Sequence, residues 1–152
     1  MTAPHWTQYL AALLTPTVAV FGISIAYRQW RTAQNKLKLD LFERRLAVYD
    51  GVRSFISSVL TTGKTTKNYE MEFLAATRGA KWLFGPEVVE YIDTTLWHKA
   101  CDLWCLQEEL QAMPSSQDRA DKIYKQAEIK KWLAAQLTVI DEKFSPYLAL
   151  RH

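Results

Sequence analysis

His98, Cys101 and Cys105 are the side chains whose types and spacing come nearest to a metal site. At intervals of three and four they share one face of a helix, and two thiols with an imidazole form a soft ligand set suited to zinc. A structural zinc site takes about four ligands. The remaining histidines, His5 and His152, form no second cluster to supply one. The triplet is therefore a weak candidate: a helical Cys reads more readily as a small buried hydrophobe, and no metal or other cofactor is expected. Asp40, Glu43, Arg44 and Arg45 make a second group, beside Phe42 and Tyr49. Arg45 follows Phe42 by three residues and precedes Tyr49 by four, so it lies against an apolar seam. From there its guanidinium can bind a carboxylate or phosphate, or pair with an acid on another helix while its stem covers apolar surface. Gly63-Lys64-Thr65 has the ending of a phosphate-binding loop without its first glycine or a preceding strand. G-x-S-x-G and H-E-x-x-H are also missing from the sequence, and no enzymatic activity is expected.

The aromatic residues carry the remaining interaction chemistry. Of six Trp, Trp82, Trp97, Trp104 and Trp132 fall in the larger C-terminal part. Trp97 and Trp104 are seven apart and share a helix face beside Cys101, as a core stripe or a partner groove. Together with Arg45 and Tyr49 they are the expected interaction residues.

The elements that hold these residues begin with an apolar run. Residues 1–27 contain no Asp, Glu, Lys or Arg, and 14 of the 19 residues from Tyr9 to Tyr27 are hydrophobic. A helix crosses the bilayer hydrocarbon with about 20 such residues. Trp6 and Tyr9 bracket the run on one side and Tyr27 and Trp30 on the other, and Arg28, Arg31, Lys36 and Lys38 follow. Interfacial rings with basic residues on one side predict a transmembrane helix, with the N-terminus outside and the rest cytoplasmic. Ser24-Ile25-Ala26 resembles a signal-cleavage site, but no basic residue precedes the run and the arginines follow it, which opposes export. Ala11, Thr15, Ala19, Gly22 and Ala26 recur at intervals of three and four, giving a small face for helix packing in lipid. Residues 28–60 hold seven basic against three acidic residues, whereas 61–152 hold 12 against 13. The positive charge is thus juxtamembrane, and a net charge of +3 over 152 residues gives no case for nucleic acid. Two cysteines exclude a disulfide scaffold, and 49% hydrophobic residues exclude wholesale disorder.

The C-terminal part reads as all-α. Leu41, Val48, Val52, Phe55 and Val59 keep helical phase, with Phe42, Leu46, Tyr49 and Ile56 beside them, and the phase runs through Asp50-Gly51. A second helix is predicted over 68–84, with Gly85-Pro86 as the junction to a third that ends at Met113-Pro114. Ser115-x-x-Asp118 has capping-box spacing, and a fourth helix is predicted over 116–143. Ser145-Pro146 should break it, leaving Tyr147 to Leu150 to fold back. The expected architecture is an N-terminal tail and transmembrane helix over 1–30, continuing into an antiparallel bundle of about four helices over 31–152.

Lys36-Leu37-x-Leu39-x-Leu41-Phe42-x-x-Arg45-x-x-Val48-Tyr49, after such an anchor, resembles a group of small uncharacterised bacterial membrane proteins with a cytoplasmic helical domain. Leu83-Phe84-Gly85 is similar to that group's helix junction. The resemblance implies location and fold but no activity. The function expected is a single-pass bacterial inner-membrane scaffold or interaction module. Its partners are the bilayer and either itself or another membrane protein. The alternatives are a membrane-perturbing, pore-forming effector, with Thr15, Thr17 and Ser24 facing inward, and a soluble ligand-binding helical domain.

Overall fold

The computed structural model describes residues 6–114 and 117–149, with side chains from Val18 onward. Every regular element among them is helical: α1 Trp6–Thr62, α2 Lys67–Thr77, α3 Ala80–Leu83, α4 Pro86–Glu90, a π-helical turn Tyr91–Leu96, α5 Trp97–Ala112 and α6 Gln117–Leu148. The chain forms two units, Met1–Asp40 and Leu41–His152.

In the first unit, Val18, Phe21, Ile23, Ile25, Tyr27 and Trp30 are all more than half exposed. No helix among the described residues is long and apolar enough to cross a membrane. The predicted anchor is therefore not supported at this level. Its residues 9–17, including Ala11 and Thr15, lie outside the described side chains, and Val18–Tyr27 is about half the length of a span.

The second unit is built around the α1 stripe. Val48, Val52, Phe55, Ile56 and Val59 are buried, as their spacing requires. Gly63 closes α1 in the left-handed region (φ 69°), donating its amide to the Val59 carbonyl at 2.9 Å. Thr66 then caps α2, its hydroxyl accepting from the Tyr69 amide. The chain returns along α1 antiparallel: Phe55 meets Phe73, and Gly51 faces Ala76. A Cβ on Gly51 would lie 2.3 Å from the Ala76 Cβ, so the glycine in mid-helix is there for close approach.

Three helix boundaries differ from expectation. The second helix is interrupted at Arg78-Gly79, although both residues keep right-handed dihedrals. The third is continuous from Pro86 but widens at Tyr91–Leu96, where Trp97 donates its amide to the Ile92 carbonyl. Residues four apart drift round a regular α-helix, and the wider turn keeps Val88, Ile92, Leu96 and Ala100 all inside. Pro146 lies within α6 instead of ending it. So near the terminus it forfeits one backbone bond, and the last turn is held from outside: Arg45 donates to the Tyr147 carbonyl, and the Phe84 and Tyr147 rings meet edge to face.

The bundle is antiparallel at its other seams too. Along α1 and α6, Arg45 meets Tyr147, Tyr49 meets Phe144, and Arg53 meets Asp141. Along the π-helical turn with α5 on one side and α6 on the other, Tyr91 meets Gln136 and Glu109 meets Lys122. Arg119, in the first turn of α6, donates to the carbonyls of Leu110 and Met113, satisfying carbonyls left free at the end of α5. In the early part of α6, Ile123 and Tyr124 are exposed, and burial begins at Leu133.

Candidate functional site

Arg45 reaches from α1 to two other chain segments. Its Nε donates to the Leu83 carbonyl at 3.0 Å and its Nη1 to the Tyr147 carbonyl at 3.1 Å, with the guanidinium 5.6 Å from the centre of the Tyr147 ring. Leu83 is the last residue of α3 and Tyr147 the last but one of α6, and cations are favoured at such helix ends. Tyr147 extends the junction: its hydroxyl accepts from the Gly85 amide at 3.1 Å and donates to Glu87. That bond to Tyr147 holds the Glu87 carboxyl below its usual range. The two short sequence motifs around Arg45 and Leu83-Phe84-Gly85 therefore meet in space. Among the described residues Arg45 makes no ion pair with an acid on another helix, one of the two roles its spacing allowed, and both of its hydrogen bonds are to protein carbonyls.

One turn further along α1, the Tyr49 hydroxyl donates to Asp141 Oδ1 at 2.5 Å. Arg53 Nη1 donates to the same oxygen and to the Tyr49 hydroxyl, each at 2.8 Å. The Tyr49 hydrogen bond lowers the Asp141 carboxyl and raises the phenol in return. Every member already has a partner, so the trio works as a clasp between α1 and α6. Arg53 is one helical turn from Tyr49 and is legible by spacing. Asp141, 92 residues away, gives no local signal.

The predicted aromatic face divides. Trp97 is half-buried, with its ring parallel to that of Phe73 at 5.9 Å. Trp104 is 45% exposed. Trp97 is thus a core residue, and only Trp104 offers surface. His98 and Cys105 are exposed and Cys101 is half-buried. Burial pushes the Cys101 thiol up, with Glu70 adding to the effect. Among the described residues no group of three His, Cys, Asp or Glu is placed to hold a metal ion.

Ala19, Gly22 and Ala26 are exposed, and a Cβ on Gly22 would meet nothing within 4 Å. This small face is open among the described residues.

A groove among the described residues has no counterpart among the sequence motifs. It measures about 510 Å³ and lies between α5 and α6, floored by Leu106, Ile129 and Trp132. Lys99, Asp102, Glu109, Lys125 and Glu128 rim it, with Cys105 at one edge. Its volume falls within the range of small-molecule sites, about 300–1,000 Å³. Ion pairs of Lys99 with Asp102 and Lys122 with Glu109 already occupy part of the rim. Comparison with family models, with curated proteins and with solved structures gives no match for this chain.

Proposed function

We propose that the chain is a single-pass bacterial inner-membrane protein whose helical unit is a cytoplasmic interaction or scaffold module, and that the chain self-associates. The observation that carries this reading is the uncovered apolar surface of Val18–Tyr27. Val18, Val20, Phe21, Ile23 and Ile25 are 55–71% exposed, and no Asp, Glu, Lys or Arg occurs anywhere before Arg28. Such a surface is unfavourable in water and calls for lipid or another apolar helix. Tyr27 and Trp30, exposed with ring centres 6.1 Å apart, stand where the run gives way to Arg28 and Arg31, as interfacial rings do. The open face at Ala19, Gly22 and Ala26 supports packing against a second membrane helix. The resemblance to small bacterial membrane proteins points the same way and carries no activity with it.

Membrane fractionation with a carbonate wash, and protease accessibility of a C-terminal tag in spheroplasts, tests the reading. The expected result is a protein retained in the pellet with its tag protected. A full-length soluble product overturns it and favours ligand binding, for which the α5–α6 groove is the place. Self-association is tested separately: Ala19→Leu with Gly22→Leu should abolish the signal in a membrane two-hybrid assay.

A further inference from the structure

Trp82 is 80% exposed, the most open large apolar side chain among those described. It does not stand alone. Arg78 and Gly79 keep right-handed helical dihedrals, so helical phase carries from α2 into α3. Met71 (62% exposed), Leu74 (45%), Arg78 and Trp82 then fall on one side, opposite the buried Phe73, Thr77 and Ala80. Lys81 lies 4.9 Å from the centre of the Trp82 ring, a cation–π contact that leaves its charge at the surface.

This stretch differs in charge from the rest of the helical unit beyond it. Residues 64–82 carry four basic and two acidic residues, a net of +2. Residues 83–152 carry eight against eleven, a net of −3. Neither Arg78 nor Lys81 makes an ion pair among the described residues. The acids, Glu70 and Glu72, lie to either side of the stripe rather than on it. Arg78 thus lies on the apolar face, with Lys81 and Glu70 flanking it on one side and Glu72 on the other.

We propose that this face docks on the anionic surface of a phospholipid bilayer, with Trp82 in the headgroup layer and Arg78 and Lys81 against lipid phosphates. An indole at the interface satisfies both its apolar ring and its N–H, and basic side chains of a surface-lying helix bind anionic lipid. The proposal rests on the membrane reading above, and its test separates the two.

Full-length protein and Trp82→Phe are incorporated into vesicles of phosphatidylcholine alone, or with about one third phosphatidylglycerol. The difference between the two proteins isolates Trp82 among six Trp. Acrylamide reports its exposure to water, and brominated phosphatidylcholine its contact with lipid. The expected result is that Trp82 is shielded from acrylamide and quenched by brominated lipid only when phosphatidylglycerol is present. Arg78→Glu with Lys81→Glu should reverse this, each cation being worth about fivefold in the docked fraction. Arg78→Gln with Lys81→Gln, a milder pair, should weaken it, and circular dichroism checks that both pairs keep their helices. Trp82 equally open to acrylamide in both vesicle types, in a protein that resists carbonate, overturns the proposal and leaves the anchor standing. Shielding of Trp82 regardless of lipid charge also overturns it, because a protein surface then covers the face. Phosphatidylglycerol-dependent shielding in a protein that carbonate strips from neutral vesicles sinks the anchor and supports the docking face.

Discussion

Arg45 Nε donates to the carbonyl of Leu83 at 3.0 Å, although 38 residues separate them. The bond ties the middle of α1 to the end of α3, and the same guanidinium ties both to the end of α6 through Tyr147. One side chain thus terminates two helices and joins three segments. A lysine has one nitrogen and cannot span both carbonyls in this planar geometry.

Arg45→Met should therefore destabilise the protein by about 2–4 kcal/mol, the loss of two charge-assisted bonds partly offset by retained stem packing. Arg45→Lys should recover less than half of that. Urea unfolding followed by near-ultraviolet circular dichroism measures both. A loss below about 0.5 kcal/mol for Arg45→Met would reduce Arg45 to an ordinary surface residue.

Gly51→Ala tests close packing against helix propensity, since the two predict opposite signs. In a free helix the change stabilises by about 1 kcal/mol. Here the new methyl would lie 2.3 Å from the Ala76 Cβ, which has no rotamer by which to move away. The expected outcome is destabilisation by about 1–3 kcal/mol, relieved in part by Ala76→Gly. Thermal unfolding of the single and double variants decides it.

The Tyr49–Asp141 clasp gives a pH dependence whose sign is fixed. Its hydrogen bond lowers the folded-state value of the Asp141 carboxyl, so the folded state favours the carboxylate. The stabilisation is present above the unfolded value, about 3.9, and is lost as pH falls through the lower folded value. Asp141→Asn should be less stable than the parent at neutral pH, and the difference should shrink on acidification below that range. A difference constant from neutral to acid pH would show that the charge of Asp141 contributes nothing.

Trp97 and Trp104 should respond differently to truncation. Trp97 packs flat on Phe73, so Trp97→Ala should cost about 3 kcal/mol. Trp104 is 45% exposed, and Trp104→Ser should cost under about 1 kcal/mol with helical circular dichroism unchanged. Equal losses at the two positions would mean that Trp104 is covered.

The two thiols should separate in alkylation. Cys105 is exposed, whereas Cys101 is half-buried with its thiol raised by burial. Maleimide labelling near neutral pH, read by mass spectrometry, should modify Cys105 first, because the thiolate is the reacting species and must be reached. Added zinc should leave both rates unchanged, since no group of three His, Cys, Asp or Glu among the described residues is placed to hold it.

Local pattern determined much of this protein. The periodicity of Val48, Val52, Phe55 and Val59 dictated a buried helix face, because side chains three and four apart share a side whatever they pack against. Gly85-Pro86 marked a helix start for an equally local reason, the fixed φ of proline and its missing N–H. The apolar run from Tyr9 to Tyr27, with its aromatic and basic borders, is likewise read from composition alone. What only the tertiary structure decided involves partners distant in the chain. Gly51 is explained by Ala76, Tyr49 by Asp141, and Arg45 by Leu83 and Tyr147. Pro146 stays helical because contacts from α1 and the α3–α4 junction hold the last turn. Trp97 and Trp104 look alike in sequence and differ because Phe73 covers only the first. Periodicity states which face of a helix turns inward. It carries no information about which residue of another helix waits there, and that residue decides whether a charge is bound, a glycine required or a tryptophan left open.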